Sequence, residues 1–233
     1  MSQLPWIEGN IPLPDPETAL TEPNGLLAAS YDLSPELILS AYKKGIFPWY
    51  SEDQPVLWWS PDPRCIIHPN ELHLSKSLKK HIRKTNLNFT FDHAFEQVIH
   101  HCARLDSESG TWITAEMEEA YIELHKLGYA HSVEVWREDE LIGGLYGLSL
   151  GRCFFGESMF SLETNASKIA FSALCQQLNK WGFKLIDCQV ENPHLLTLGA
   201  STIKRSIFLE KLNNALKAPQ INHKWIFDIE QLK

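Results

Sequence analysis

Between Ala130 and Gln189 the chain switches repeatedly between strand-like and helix-like stretches, and their order narrows the folds open to it. "AHSVEVW" (130–136) alternates as a half-buried strand does, "REDE" (137–140) turns, and "LIGGLYGLSLG" (141–151) continues as a strand. Two such stretches with so short a link form an antiparallel hairpin. "RCFFGESMFS" (152–161) is a third strand. Asn165 then opens the helix "ASKIAFSALCQQLNKW", Gly182 ends it, and "LIDCQ" (185–189) is a buried strand. A short helical turn at "NPHLLTLGA" and a strand-helix unit around "TIKRSIFLEKL" follow. This order predicts an α/β (α+β) domain, a mostly antiparallel sheet flanked by helices.

Upstream, residues 1–33 are rich in Pro and Gly and lack periodicity, which predicts an irregular arm packed by Trp6, Leu26 and Leu27. Ser34 caps a short helix with Pro35 at its first position and Gly45 after its last turn. "PVLWWSPDPRCIIHP" reads as two extended pieces broken by Pro61 and Pro63. Residues 71–84 form a helix, "NFTFD" a strand, Asp92 caps the helix "HAFEQVIHHCAR", and Thr114 caps another. The expected division is a small N-terminal domain, 1–63, and an α/β domain, 64–233.

Several classes of protein fit the sequence poorly. No apolar run approaches the ~20 residues of a membrane span, and the N-terminus has neither the basic start nor the apolar run of a signal peptide. A cytoplasmic protein is expected. Five cysteines, none in a CxxC pair, and ten histidines without HExxH suggest buried thiols and no metal site. The net charge of −8 argues against generic nucleic-acid binding, but "HLSKSLKKHIRK" (73–84) holds Lys76, Lys79, Lys80, Arg83 and Lys84 and no acid. Without those five, 16 basic residues face 29 acidic ones, a net charge of −13. Lys76, Lys79, Lys80 and Arg83 share one helix face, so a specific anionic partner is expected there.

"LIDCQ" poses the sharpest chemical question. On a regular strand Asp187 and Gln189 point the same way, ~7 Å apart. A carboxylate on an otherwise apolar strand is costly without a partner. The sequence leaves two answers open: local backbone groups, or a substrate.

The strand and helix order resembles the acetyltransferase superfamily, but the stretch "RCFFGESMFSLETNASK" lacks that superfamily's pyrophosphate loop, so coenzyme A is not supported as donor. A more specific resemblance rests on "PNGLLAAS", "YDLSPE", "AYKKGIFPWY", "LWWSPDPR", "GTWIT", "AYIELHKLGYAHSVEVW", "GGLYG", "FGESMFS", "NASK", "DCQ" and "HLLTLGA", in this order from about residue 8 to about residue 212. Together they resemble the leucyl/phenylalanyl-tRNA–protein transferase family. Two positions depart from its pattern: Ser30-Tyr31 stand where Gly-Gly is usual, and Leu145 where Met is frequent.

The resemblance implies an aminoacyltransferase that moves Leu, or Phe and Met as further candidates, from tRNA to an N-terminal Lys or Arg. The product is a degradation signal, and no cofactor is used. It implies catalytic roles for Asp187, Gln189 and Glu157, with Glu157 at the donor's α-ammonium; a salt bridge of Glu157 to Arg152 or Lys168 is the plainer alternative. It implies an aminoacyl pocket of Leu145, Phe154, Leu174, Leu178 and Ile186. Trp49 and Trp112, with Tyr42 and Tyr121 nearby, would face the terminal adenine of tRNA, and Lys76, Lys79, Lys80 and Arg83 its phosphates. A neutral amide is no base, so Gln189 is expected to orient the attacking amine. Asp187 is expected to fix that amide or to meet the incoming cation. Asp187, Glu157 and Glu191 stay unranked as readers of the acceptor's cationic side chain. Other acceptors, such as a peptidoglycan peptide, or a non-catalytic tRNA-binding module, are the alternatives; a monomer is expected.

Overall fold

The computed structural model describes residues 4–9, 11–105, 113–221, 223–229 and 232. Two sheets organise it. A four-stranded sheet is built from β1 (Trp6–Ile7), β2 (Leu26–Ser30), β3 (Phe47–Pro48) and β4 (Val56–Trp59), in the order β1-β2-β4-β3. The larger sheet takes β5 (Arg64–Ile67), β6 (Asn88–Phe91), β7 (Ala130–Arg137), β8 (Glu140–Leu150), β9 (Cys153–Ser161), β10 (Leu185–Gln189) and β11 (Ser201–Ile203). Its order is β11-β5-β10-β9-β8-β7-β6. All its neighbours are antiparallel except β9 and β10, which run parallel. A parallel pair needs a long crossover, and α5 (Ala166–Lys180) supplies it.

The remaining helices are α1 (Pro35–Lys43), α2 (Lys76–Lys84), α3 (Phe95–Leu105), α4 (Ala115–Lys126), α6 (Pro193–Leu196) and α7 (Arg205–Leu216). Three begin as side-chain chemistry dictates. Ser34, Ser75 and Thr114 each accept a hydrogen bond from the backbone N–H three residues on, at Leu37, Leu78 and Met117. Two expected caps differ. Asn165 precedes α5 in a left-handed conformation and makes no side-chain cap bond. Asp92 does not cap α3: it accepts hydrogen bonds from Ser132 N and His131 Nδ1, while Ala94 N at the start of the helix donates to Glu134.

The expected irregular arm also differs, because residues 6–7 and 26–30 lie in the small sheet. Leu27 is buried there, whereas Trp6 stays 37% exposed and meets Tyr31 edge-on. One apolar core runs through both sheets: Leu27, Tyr42 and Trp58 share it with Phe155, Leu185 and Phe208. A second core, on the other face of the large sheet, gathers Ile67, Phe154, Leu174 and Ile186 with Leu78 and Ile82 of α2. Those two leucine and isoleucine anchors leave Lys76, Lys79, Lys80, Arg83 and Lys84 outward, around one shallow depression. Among the described residues no helix is long and apolar enough to cross a membrane.

Candidate active site

The parallel strands β9 and β10 stay in register only as far as Phe155 and Asp187. Both then bulge. Against β8, Gly147 pairs with Gly156 and Tyr146 with Ser158, so Glu157 is the extra residue of β9. Against β5, Ile66 pairs with Asp187 and Cys65 with Gln189, so Cys188 is the extra residue of β10. A bulge bends its strand and re-aims a side chain. Gln189 completes the distortion with φ of 55°, a left-handed conformation uncommon outside glycine. Two neighbouring strands that bulge at the same level open a gap between them, and a cavity of about 630 Å³ fills it.

Its apolar wall is formed by Leu145 and Phe154 from the sheet, Met159 and Phe160 from β9, and Phe171 and Leu174 from α5. Glu157, Gln189, Glu191 and Asn192 supply polar groups, and Trp49 with Phe47 stands at one side. Of the expected aminoacyl-pocket residues, Leu145, Phe154 and Leu174 line this cavity. Leu178 and Ile186 do not: both are wholly buried in the second core. Sequence reasoning missed Met159 and Phe171. Phe171 lies three residues before Leu174, the i, i+3 spacing that puts two side chains on one helix face.

Glu157 is the hub of the polar side. Its carboxyl accepts Tyr42 Oη at 2.8 Å, Tyr121 Oη at 3.1 Å and Gln189 Nε2 at 3.1 Å. The two phenol oxygens are 2.7 Å apart. Burial pushes the Glu157 carboxyl up to about 8, although both tyrosine hydrogen bonds pull the other way. Burial, then the charge of Glu157, raises both phenols well above their usual range, so they stay protonated. Neither Arg152 nor Lys168 pairs with Glu157; Arg152 instead donates to the carbonyls of Gly151 and Pro219.

Tyr42 and Tyr121, expected near the terminal adenine, are fully buried and offer hydroxyls to Glu157 rather than ring faces to a ligand. Trp49 is different. It is 45% exposed, lines the cavity and leans on Trp59 with ring centroids 5.7 Å apart. Trp112 lies outside the described residues.

The partner of Asp187 is a side chain of the protein itself. Arg64 on β5 donates Nε to Oδ1 at 2.8 Å and Nη2 to Oδ2 at 2.7 Å, with both side chains solvent-free. Its remaining Nη1 donates to Gly45 O at 3.1 Å, and its guanidinium lies over the rings of Phe47 and Phe208. Asp187 Oδ1 also accepts Gln189 N at 3.0 Å, which ties the left-handed residue to the strand before it. The expectation that Asp187 meets an incoming cation is therefore corrected, since its charge is already balanced. The signal for Arg64 was legible: a lone arginine opening the apolar run "RCII" needs a buried acid.

The model of the leucyl/phenylalanyl-tRNA protein transferase family matches residues 66–213, and the model of that family's N-terminal domain matches residues 31–62. A leucyl/phenylalanyl-tRNA--protein transferase of Hahella chejuensis is 55% identical over 99% of this chain and 98% of its own length. Another, of Stutzerimonas stutzeri, is 54% identical over 93% of this chain and 96% of its own. Among solved structures, L-PGS from Bacillus licheniformis is similar with a TM-score of 0.41 and 12% identity, over 72% of this chain and 54% of that one.

Proposed function

Since this chain belongs to the leucyl/phenylalanyl-tRNA protein transferase family, we propose that it transfers Leu, and also Phe or Met, from aminoacyl-tRNA to the N-terminal Lys or Arg of proteins. The observation that carries this reading is the cavity between the splayed strands. It joins an apolar wall suited to an aliphatic or aromatic side chain to a carboxyl and an amide that converge on one point.

Aminoacyl-tRNA is an ester and already activated, so the protein's task is to position, to handle protons and to exclude water. The donor's side chain occupies the wall of Leu145, Phe154 and Leu174. Its α-ammonium pairs with Glu157, which gives up its proton on pairing. The acceptor's α-amine has an ordinary pKa of about 7.7–8.0, so part of it is neutral near pH 7. Gln189 donates its Nε2 to Glu157, which leaves the amide oxygen to orient that amine toward the ester carbonyl. The amine nitrogen forms the new amide bond, the ester C–O bond breaks, and the tRNA oxygen leaves with the amine's proton. Asp187 is a positioning residue: it holds the backbone of Gln189 and balances Arg64.

Trp49 stacks on the terminal adenine, and Lys76, Lys79, Lys80 and Arg83 hold phosphates by the shape of the acceptor stem. Residues 1–63 and 64–233 act as two units that share a core, in a monomer working in the cytoplasm away from membranes. The test mixes the protein with labelled Leu-tRNA and a peptide beginning with Arg. Label moves to that peptide and not to one with an acetylated N-terminus. Transfer only to a peptidoglycan-type amine, or tRNA binding with no transfer, overturns the reading.

A further inference from the structure

The structure ranks the three carboxylates that could read the acceptor's cationic side chain. Asp187 is closed to it: both oxygens are engaged by Arg64 in a solvent-free pair, and Oδ1 also takes Gln189 N. A second guanidinium there would meet the first. Glu157 is occupied by Tyr42, Tyr121 and Gln189, and its single negative charge, once formed, is committed to the donor's ammonium.

Glu191 differs on each count. It is exposed, it lines the same cavity, and among the described residues it has neither a hydrogen bond nor an ion pair. Glu157 and Glu191 are the two carboxylates among the described lining residues. Glu191 follows Gln189 by two residues across a bend at Val190, so their Cα atoms lie within ~7 Å of each other. An N-terminal residue carries its α-amine and its side chain on one Cα. An amine held by Gln189 thus places a Lys or Arg side chain, about as long as that spacing, within reach of Glu191. Val190 between them is 45% exposed and also lines the cavity. It gives the methylene stem of such a side chain an apolar surface while the charged head stays wet.

Resting on the transfer reaction proposed above, we infer that Glu191, with Val190, forms the subsite that selects a cationic side chain on the acceptor's N-terminal residue. The pair is partly solvated, so selection is moderate and weakens as salt rises.

Steady-state transfer of leucine to two peptides that differ only at residue one tests this: arginine, and citrulline, its uncharged isostere. Wild type prefers the Arg peptide. Glu191→Gln raises KM for the Arg peptide by about fivefold and brings the Arg-to-citrulline ratio close to one. Glu191→Asp keeps part of the preference, and Glu191→Lys reverses it. If Glu191→Gln leaves the Arg-to-citrulline ratio at the wild-type value, whether or not both rates fall, the subsite is elsewhere and the inference is overturned. If wild type moves no leucine to the Arg peptide, the proposed function fails, and this inference with it.

Discussion

Arg64 and Asp187 face each other across β5 and β10 in two parallel hydrogen bonds, 2.8 and 2.7 Å long, where no solvent reaches. The pair couples the sheets, because Arg64 also donates to Gly45 beside the small sheet. Breaking such a pair leaves a buried charge uncompensated, which costs about 3–5 kcal/mol. Asp187→Asn and Arg64→Met should each lower stability by about that amount in urea unfolding. The double variant Arg64→Met/Asp187→Leu should recover most of the loss, since apolar replacement of a buried pair is often neutral. Single variants as stable as wild type would show that the pair carries no such charge balance.

Transfer should respond differently from stability. Gln189→Ala removes the amide but not the Arg64–Asp187 pair, and single-turnover transfer should fall by about 100-fold or more. Affinity for Leu-tRNA should stay within about threefold, because the cavity wall and the basic helix are untouched. A near-normal single-turnover rate would remove Gln189 from the reaction.

The Glu157 carboxyl, raised from an ordinary 4.5 to about 8, sets a pH signature. Between those values the folded state holds a proton that the unfolded state has lost. Stability from this group is therefore full below pH 4.5, falls as pH rises to about 8, and is level above. Glu157→Gln mimics the protonated form. Its stability relative to wild type should rise between pH 5 and pH 8.5 in paired urea titrations; a constant difference would refute the shift. Donor binding near pH 7 should also release about one proton, seen by calorimetry in buffers of different ionisation enthalpy.

The outward cations of α2 anchor a salt-dependent test. Phosphate contacts release counterions, so log affinity falls linearly with log salt, by about 0.7–0.9 per contact. Neutralising Lys79, Lys80 and Arg83 together should reduce that slope for Leu-tRNA by about 2–3. An unchanged slope would assign the patch to something other than tRNA.

Trp49→Ala should weaken donor binding by about 1–3 kcal/mol if its ring carries a base. Tyr42→Phe and Tyr121→Phe should behave otherwise, because those rings are buried and only their hydroxyls touch the site. They should shift the pH dependence attached to Glu157 and leave donor affinity nearly intact, as read from binding titrations across pH.

Much of this protein was set by local rules that a sequence exposes. Ser34, Ser75 and Thr114 cap helices because a side-chain oxygen three residues ahead of a free N–H needs nothing distant. The hairpin of β7 and β8, the helix α5 and the cationic face of α2 follow equally from near-neighbour periodicity, and the ordered motifs pointed to the family. Asp187, Glu157 and Gln189 stood out as polar residues on apolar strands. What they do was decided by residues far away in the chain. Arg64 reaches Asp187 across 123 positions, Tyr42 reaches Glu157 across 115, and Asp92 leaves its expected cap for a histidine 39 residues on. A strand's register and its bulges depend on the partner strand, so the turn of Gln189 out of β10 has no local signature. Pairing energies between such distant groups exist only once the sheet has formed. For that reason the tertiary structure alone separated the neutralised Asp187 from the open Glu191.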